Sequence, residues 1–579
     1  MVAWWMRSRQ AALNGVLLAL ALAASPALAQ SQNDGSPAGS AVARYLAGRI
    51  AQNAGDWDVA SANLAVALRQ DPENVSLLRR TFLLSLGEGK QTESVALGRR
   101  LAETGQGSFV AHALLVADAL RNGRTDEAQA HMDRLPADGM APYISPLLSA
   151  WIAVEGKRFD DAVKALEPLA SHQGFDGIRA LQLALIEDLR GDNEAAFRHY
   201  AEAAKHGGAL RVTLLIGNFQ ERAGAIQAAR TLYQSYLAAN PGSMMVEDAL
   251  ARLEEKPGRE IKAPARLVGD ARQGLSEALF GLAAALQQEG ALEMALLYGR
   301  VALHLDGGQP LARLLVGDLL NSRNREETAL EEYQAVKAGQ GAAAHWMARM
   351  RQAEVLTRLD RPADAVALLE RLAAERPDRT DALLRQGDIH RIAKRGDAAL
   401  AAYDRALARV KTPGPADWPL VYARAMVLDA QGDWPAAEKG LRHALELRPD
   451  QPSVLNYLGY SYIDREERLE EGKALIEKAL SLRPQDGFIT DSLGWALFRM
   501  GRVEEAVELL EKAVELEPGD PEINDHLGDA YWAVGRLDEA RFQWTRAAHQ
   551  ADSDGLRRSA QSKLRNGLVN TVKADNTGP

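Results

Sequence analysis

The chain has 579 residues, no cysteine and a formal net charge of −10 at pH 7. A chain of this length is too long for one compact core. The absence of cysteine excludes disulfides, thiolate metal sites, thiol nucleophiles and lipid attachment at a cysteine. The acidic balance disfavours general nucleic-acid binding, which needs a basic surface.

The first 29 residues have the pattern of a secretory signal peptide. Arg7 and Arg9 precede an apolar run at 11–24, which is too short to span a bilayer comfortably, and small residues stand at Ala27 and Ala29. We therefore expect cleavage after Ala29 and a periplasmic or secreted product, with an uncleaved membrane anchor as the alternative. The polar stretch 30–40 is expected to be a disordered linker.

From residue 41 onward, small residues recur with a period close to 34, which indicates a solenoid of stacked units. The opening unit contains Gly48, Gly55, Ala60 and Pro72. The units that follow are more divergent but keep the register, and about six of them form a predicted N-terminal array at 41–253. Residues 254–274 contain Lys-Pro-Gly and Ala-Pro-Ala, which break the period, so a linker is predicted there.

The period is most regular in a predicted C-terminal array of about eight units at 275–549. Gly494 and Ala506 are followed 34 residues later by Gly528 and Ala540. Within each unit, spacings of three and four place small and bulky residues on one helical stripe, so each unit is predicted to hold two helices that cross closely. Residues 550–579 are predicted to be a capping helix followed by a disordered tail.

This unit resembles the tetratricopeptide repeat (TPR), and the resemblance covers most of residues 41–549. It implies an all-α, TPR-type solenoid of helical hairpins, with about 14 repeats in two superhelical arrays. The stretch Leu455–Arg546, which contains Leu-Gly-Tyr at 458–460 and Asp-Ser-Leu-Gly-Trp at 491–495, is similar to proteobacterial cell-envelope TPR adaptor proteins. Some members of that group bring substrates to an envelope protease, and they carry a lipidated cysteine that this chain lacks.

The resemblance also predicts a partner-binding surface. In TPR arrays the first helix of each unit lines the concave face, where positions three before, one after and four after the glycine point inward. The predicted partner-binding residues, with Arg499 beside those positions, are Tyr422, Asn456, Tyr460, Asp491, Trp495, Phe498, Arg499, Asp525, Asp529 and Trp532. Aromatic rings interspersed with amides and acids suit an extended peptide. The alternative is that each ring packs between adjacent repeats.

No catalytic or metal-binding motif is recognisable. The eleven histidines are dispersed, and there is no His-Glu-x-x-His, phosphate-binding glycine loop or Gly-x-Ser-x-Gly. We therefore expect no cofactor, no metal and no enzymatic activity. The predicted function is a protein-binding scaffold or adaptor of the bacterial cell envelope, with delivery of substrates to a protease as one role. A structural part of a polysaccharide-export or cell-wall synthesis complex is the alternative.

Overall fold

The computed structural model describes residues 40–105, 108–136, 139–206, 209–254, 262–551 and 553–568. The predicted signal peptide and almost all of the predicted linker at 30–40 lie outside the described residues, as do residues 569–579 of the predicted tail. Within the described ranges all regular structure is helical, which confirms the all-α prediction.

Six helical hairpins come first. Their helices are α1 (Ala41–Asn53), α2 (Trp57–Gln70), α3 (Val75–Gly87), α4 (Gln91–Glu103), α5 (Phe109–Arg121), α6 (Thr125–Met132), α7 (Ala141–Glu155), α8 (Phe159–Ala165), α9 (Asp176–Arg190), α10 (Asn193–Lys205), α11 (Leu210–Arg222) and α12 (Ile226–Ala239). A single helix, α13 (Met244–Arg252), follows them.

Eight further hairpins follow. Their helices are α14 (Ala271–Gln288), α15 (Leu292–Leu305), α16 (Pro310–Asn321), α17 (Glu326–Gln334), α18 (Ala342–Arg358), α19 (Pro362–Glu375), α20 (Asp381–Ile392), α21 (Gly396–Leu407), α22 (Trp418–Ala430), α23 (Trp434–Leu447), α24 (Pro452–Asp464), α25 (Leu469–Leu482), α26 (Gly487–Arg499), α27 (Val503–Leu516), α28 (Pro521–Ala533) and α29 (Leu537–Gln550). The last described helix is α30 (Asp554–Asn566). The hairpins agree in number with the predicted 14 or so repeats.

Small residues allow the two helices of a hairpin to cross closely. A Cβ atom added to Gly494 of α26 would lie 2.7 Å from the Leu510 side chain of α27, and one added to Gly528 of α28 would lie 2.5 Å from the Trp544 indole of α29. The turn between α26 and α27 contains Gly501 at φ 79°, a left-handed conformation that favours glycine. The small residues that recur with the 34-residue period therefore mark the positions where two helices cross or where the chain turns.

The chain forms two compact units, which comprise residues 31–368 and, among the described residues, 369–568. We call them the N-terminal unit and the C-terminal unit. Their boundary lies within α19, whereas the predicted linker at 254–274 lies inside the N-terminal unit. In that linker, residues 262–270 are described and are not helical. The division into arrays at 41–253 and 275–549 remains a prediction.

In the N-terminal unit, α14 and α15 pack on the first helices of earlier hairpins. Helix α14 contacts α5, α7 and α9, and helix α15 contacts α3 and α5. Gly274 of α14 sits against the buried ring of Trp151, where an added Cβ would lie 2.1 Å from ring atoms. Polar contacts reinforce this packing, since Arg211 donates to the buried Glu277 carboxylate at 2.7 Å. The chain therefore covers this inward surface with its own helices.

None of the helices in the described ranges has both the length and the apolar character that crossing a membrane requires.

Candidate functional site

The predicted partner-binding residues lie on four successive first helices of the C-terminal unit, namely α22, α24, α26 and α28. Helix α24 contacts α26, α26 contacts α28, and α28 contacts α30, so residues at equivalent positions become neighbours. We call the ten predicted residues, together with His526 and Lys563, the inner face. The inner face has an aromatic part, a buried ion pair and a charged end.

The aromatic part centres on Trp495 of α26. Its ring stacks on the imidazole of His526 at 4.0 Å between centroids and on Phe498 at 5.1 Å. The Arg499 guanidinium lies 5.8 Å from the Trp495 ring centroid and also pairs with Glu466. Trp495 remains half-buried and packs against the hydrophobic clusters on both sides of it. It therefore joins adjacent repeats and is also partly exposed at the surface.

A buried ion pair lies beneath this ring. The Asp491 carboxylate oxygens are 3.0 and 3.1 Å from Nδ1 of His526, and both side chains are buried. Burial alone would lower the pKa of His526, but attraction to Asp491 outweighs it and raises the pKa to about 9. His526 is therefore positively charged at neutral pH and neutralises Asp491.

The charged end of the inner face is engaged by α30. Lys563 donates to Asp525 at 2.7 Å and to Asp529 at 2.8 Å, and the Trp544 indole donates to Asp529 at 2.9 Å. Burial raises the pKa of Asp529, and the nearby Lys563 ammonium opposes that rise. Both carboxylates are thus occupied by groups of the chain itself.

Helix α30 and the residues after it also cover Trp532. The Trp532 ring lies 5.3 Å from Trp544, and Leu564 and Leu568 belong to the same hydrophobic cluster. The backbone at Gly567 approaches so closely that an added Cβ would lie 2.3 Å from the Trp532 ring. Trp532 therefore holds the last helix in place.

The other end of the inner face begins with Tyr422. This side chain is buried, and its ring meets Tyr457 edge-on at 5.9 Å. Asn456 is buried as well, whereas Tyr460 one turn later on α24 is half-buried. Burial raises the pKa of Tyr460, and the negative charges of Glu522 and Asp491 add to that effect. Within the described ranges the Tyr460 hydroxyl makes no hydrogen bond to protein, so it can serve a ligand.

The structure separates the ten predicted residues by depth. Four keep partly exposed side chains, and these are Tyr460, Trp495, Arg499 and Trp532. Six are buried, and these are Tyr422, Asn456, Asp491, Phe498, Asp525 and Asp529. Whether they bind a partner remains a prediction. Their contacts show that the buried ones also stabilise the stacking of repeats.

Sequence reasoning overlooked two residues of the inner face. Lys563 stands in the sequence with Arg557, Arg558 and Arg565, a grouping typical of a solvated helix face. It nevertheless follows Asp529 by 34 residues and so occupies the equivalent inward position. The repeat period could therefore have identified it. His526 lies outside the three inward positions that the prediction used, and no pattern in the sequence marks its contact with Asp491.

The chemistry available on the inner face is that of binding. Among the described residues there is no group of three or more His, Cys, Asp or Glu side chains that could hold a metal ion. The inner face offers partly exposed aromatic rings, a phenol and a guanidinium, which are groups that recognise peptides by contact and hydrogen bonding. The fold supports a protein-binding scaffold or adaptor.

Comparison with known proteins identifies the repeat. A sequence profile of the tetratricopeptide repeat matches residues 350–415, 422–487 and 492–555. A TPR repeat-containing protein of Pseudomonas aeruginosa is 32% identical over 191 residues, which make up 33% of this chain and 31% of that relative. The chain thus spans about a third of the relative's length.

Two solved structures are similar over larger shares of their own chains. Yeast Tom70 is 14% identical with a TM-score of 0.34, over 74% of this chain and 96% of that one. A thermophilic TPR protein of Thermus thermophilus is 26% identical with a TM-score of 0.29, over 32% of this chain and 99% of that one. Because the repeat profile matches three times and the described residues form helical hairpins at the repeat period there, residues 350–555 of this chain carry tetratricopeptide repeats.

Proposed function

We propose that this protein is a non-catalytic scaffold or adaptor that binds a protein or peptide segment on the inner face of the C-terminal unit. The observation that carries the proposal is the pair of half-buried aromatic side chains Tyr460 and Trp495, which occupy the same inward position on the contacting helices α24 and α26. Arg499 lies over the Trp495 ring and completes a surface with both apolar and polar character.

The packing of the N-terminal unit supports this choice of surface. There the first helices α3, α5, α7 and α9 are already covered by α14 and α15. Buried polar groups fix this cover, because Arg300 donates to the Gly87 carbonyl at 2.9 Å and His304 lies 3.2 Å from the Asp118 carboxylate. A partner would have to displace two well-packed helices to reach those positions.

An envelope location is part of the proposal. The pattern of charged start, short apolar run and Ala27-Leu28-Ala29 supports export and cleavage after Ala29. N-terminal sequencing of the exported protein is expected to begin at Gln30, and a retained Met1 would contradict cleavage. Delivery of substrates to an envelope protease is the specific role that we propose for the adaptor, on the basis of the resemblance of Leu455–Arg546 to envelope adaptors.

The partner site is tested by crosslinking and capture from the cell envelope, with mass spectrometry of the captured proteins. Tyr460→Ala is the informative variant, because Tyr460 does not pack in the two hydrophobic clusters around Trp495 in the described part of the chain. We expect at least tenfold weaker capture of the main partner, since an aromatic anchor typically contributes about 2 kcal/mol or more.

Phe542→Ala is the matched control. Phe542 is an exposed aromatic residue on α29, a second helix, with 61% of its surface accessible. Capture by this variant is expected to equal that of the unmodified protein. Equal capture by Tyr460→Ala, with its helical content unchanged, would place the partner site elsewhere.

A further inference from the structure

The covering helices α14 and α15 leave a groove open at the start of the N-terminal unit. The groove has a volume of about 600 Å³. It is bordered by α1, the start of α2, α3 and Glu293 of α15, and its apolar lining consists of Ala41, Val42, Tyr45, Trp57, Leu77, Leu83 and Leu84. Its size falls within the range of about 300–1,000 Å³ that is typical of ligand pockets. Several large side chains could enter it.

The outer side of α1 carries an exposed apolar stripe next to this groove. Val42, Leu46 and Ile50 are 66%, 54% and 70% exposed. Their spacing of four residues places them on one helix face, where they would contact a partner together. We call these three residues the α1 stripe. Val42 belongs to both surfaces, because it also lines the groove.

The α1 stripe is unusual for the end of a solenoid. Terminal repeats normally present a polar outer face, because no further repeat covers them. Helix α30 at the other end follows this rule, with exposed Arg558, Gln561 and Arg565. The exposed apolar face of α1 therefore points to an interface.

We infer that the α1 stripe and the groove form an isologous contact between two copies of this chain. In a two-fold contact the combined patch of stripe and groove meets the same combined patch of the other copy, so the stripe of each copy enters the groove of the other. The adjacency of stripe and groove on one helix makes this reciprocal arrangement possible. A helix whose apolar residues recur every turn is also a suitable occupant for a groove between helices that has apolar residues in its lining.

Area and charge set the expected strength of this contact. Helix α1 has 13 residues and is about 20 Å long, so one face covers roughly 200 Å². Because each copy contributes both stripe and groove, about 400 Å² is buried per copy, which is half of the roughly 800 Å² of a standard interface. Charge does not select the partner, since Asp71 and Glu293 line the groove together with Arg79 and Arg80. A weak, reversible dimer follows.

The oligomeric state tests this inference directly. The protein, purified with its natural N-terminus, is expected to self-associate in sedimentation equilibrium with a Kd on the order of 10–100 µM. Leu46→Glu and Ile50→Glu are expected to weaken association at least tenfold, because each removes an apolar contact and places a charge against the apolar part of the groove lining. Their melting temperatures should not change, since both side chains are exposed. Phe542→Glu, at another exposed apolar site, is the control and should associate normally.

Crosslinking tests the reciprocal geometry. The chain has no cysteine of its own, so Leu46→Cys and Arg80→Cys can each be introduced alone. Disulfide-linked dimers are expected when the two variants are mixed and not with either variant by itself. Linked dimers of Leu46→Cys alone would indicate a stripe-to-stripe contact and overturn the proposed geometry. A protein that stays monomeric at about 200 µM, well above the expected Kd, or a loss of association in Phe542→Glu, would overturn the interface itself.

Discussion

His526 and Asp491 show how the repeat framework buries charge in the C-terminal unit. The pair lies beneath the stacked ring of Trp495, and both side chains are buried. A buried ion pair is stable only if each charge finds its partner, because burying an unpaired charge costs several kcal/mol. The protonation state of one imidazole therefore affects the stability of two adjacent repeats.

We predict that the stability of the C-terminal unit falls as the pH rises from about 6.5 through 9. The pKa of His526 is raised to about 9 in the folded protein from an ordinary value of 6.5, so its stabilisation is complete below 6.5 and is lost as the pH passes through 9. The loss amounts to about 3 kcal/mol. Urea unfolding followed by tryptophan fluorescence at several pH values measures it.

The variant His526→Gln provides the control for this pH dependence. It should be less stable at pH 6 and should lack the decline between pH 6.5 and 9. Burial also raises the pKa of Asp520 to about 7. Both proteins are therefore expected to lose some stability as the pH rises from about 4 to 7. If the stability of His526→Gln still declines above pH 7.5, a titrating group other than His526 causes that decline.

At the helix crossing between α26 and α27, we predict that Ala506→Leu destabilises the C-terminal unit by about 1–3 kcal/mol. Ala506 is completely buried in the cluster around Leu510 and Trp544, and the added methylenes have no space. The melting temperature measures the effect. Ala533→Leu, at an exposed alanine of α28, is the control, and an equal change in both variants would contradict the assigned crossing.

The burial of the inner-face residues shows what the sequence pattern can and cannot predict. The resemblance to the tetratricopeptide repeat predicted that Asp491, Trp495 and Phe498 share one face of their helix, and the rings of Trp495 and Phe498 stack on α26. The resemblance could not predict depth, because burial depends on how closely the next first helix approaches, and six of the ten predicted residues are buried. For the same reason, the contact between Asp491 and His526 of the following repeat became visible only in the structure.

Among the helical elements, α30 contributes more than a cover for the end of the solenoid. Its inward lysine bridges two buried carboxylates of α28, and the residues that follow it pack on Trp532. We predict that Lys563→Met destabilises the C-terminal unit by about 2–3 kcal/mol, because Asp525 and Asp529 would face each other without a counter-charge. Urea unfolding measures the loss.

The matched control for this variant lies on the same helix. Arg558→Met removes an exposed positive charge from α30 and is expected to change the stability by less than about 0.5 kcal/mol. If both variants lose the same stability, net charge and not the bridge is responsible.

Helices α14 and α15 show the limit of sequence reasoning at the element scale. Their hairpin keeps the TPR period, so the sequence predicted correctly that it is a repeat. The sequence places this hairpin in the predicted array at 275–549, because the period relates each unit only to its neighbours along the chain, and this division remains a prediction. Its contacts with α3, α5, α7 and α9 depend instead on side chains such as Gly274 and Trp151, which are separated by more than a hundred residues.

For the N-terminal unit as a whole, we predict that Gly274→Ala lowers the free energy of unfolding, because it weakens the packing of α14 on α5, α7 and α9. The added Cβ would lie 2.1 Å from the Trp151 ring, so α14 could not dock as it does. We expect a loss of at least about 2 kcal/mol, with faster hydrogen exchange in α5, α7 and α9. Gly281→Ala is the control, because it lies on the same helix with no atom within 4 Å of its added Cβ. Similar exchange rates in both variants would contradict the docking.

The docking of α14 and α15 has a consequence for how the protein acquires its structure. Its contacts join residues that are far apart in sequence: 186 residues separate Asp118 from His304, and 213 separate Gly87 from Arg300. The next hairpin adds a similar contact, because 237 residues separate Glu88 from Arg325, which precedes α17. A solenoid with contacts between adjacent repeats alone can fold as each repeat is made, whereas distant contacts slow folding because long loops must close first. The second to fifth hairpins therefore keep apolar surface exposed until α15, which ends at Leu305, has been synthesised and can dock on them.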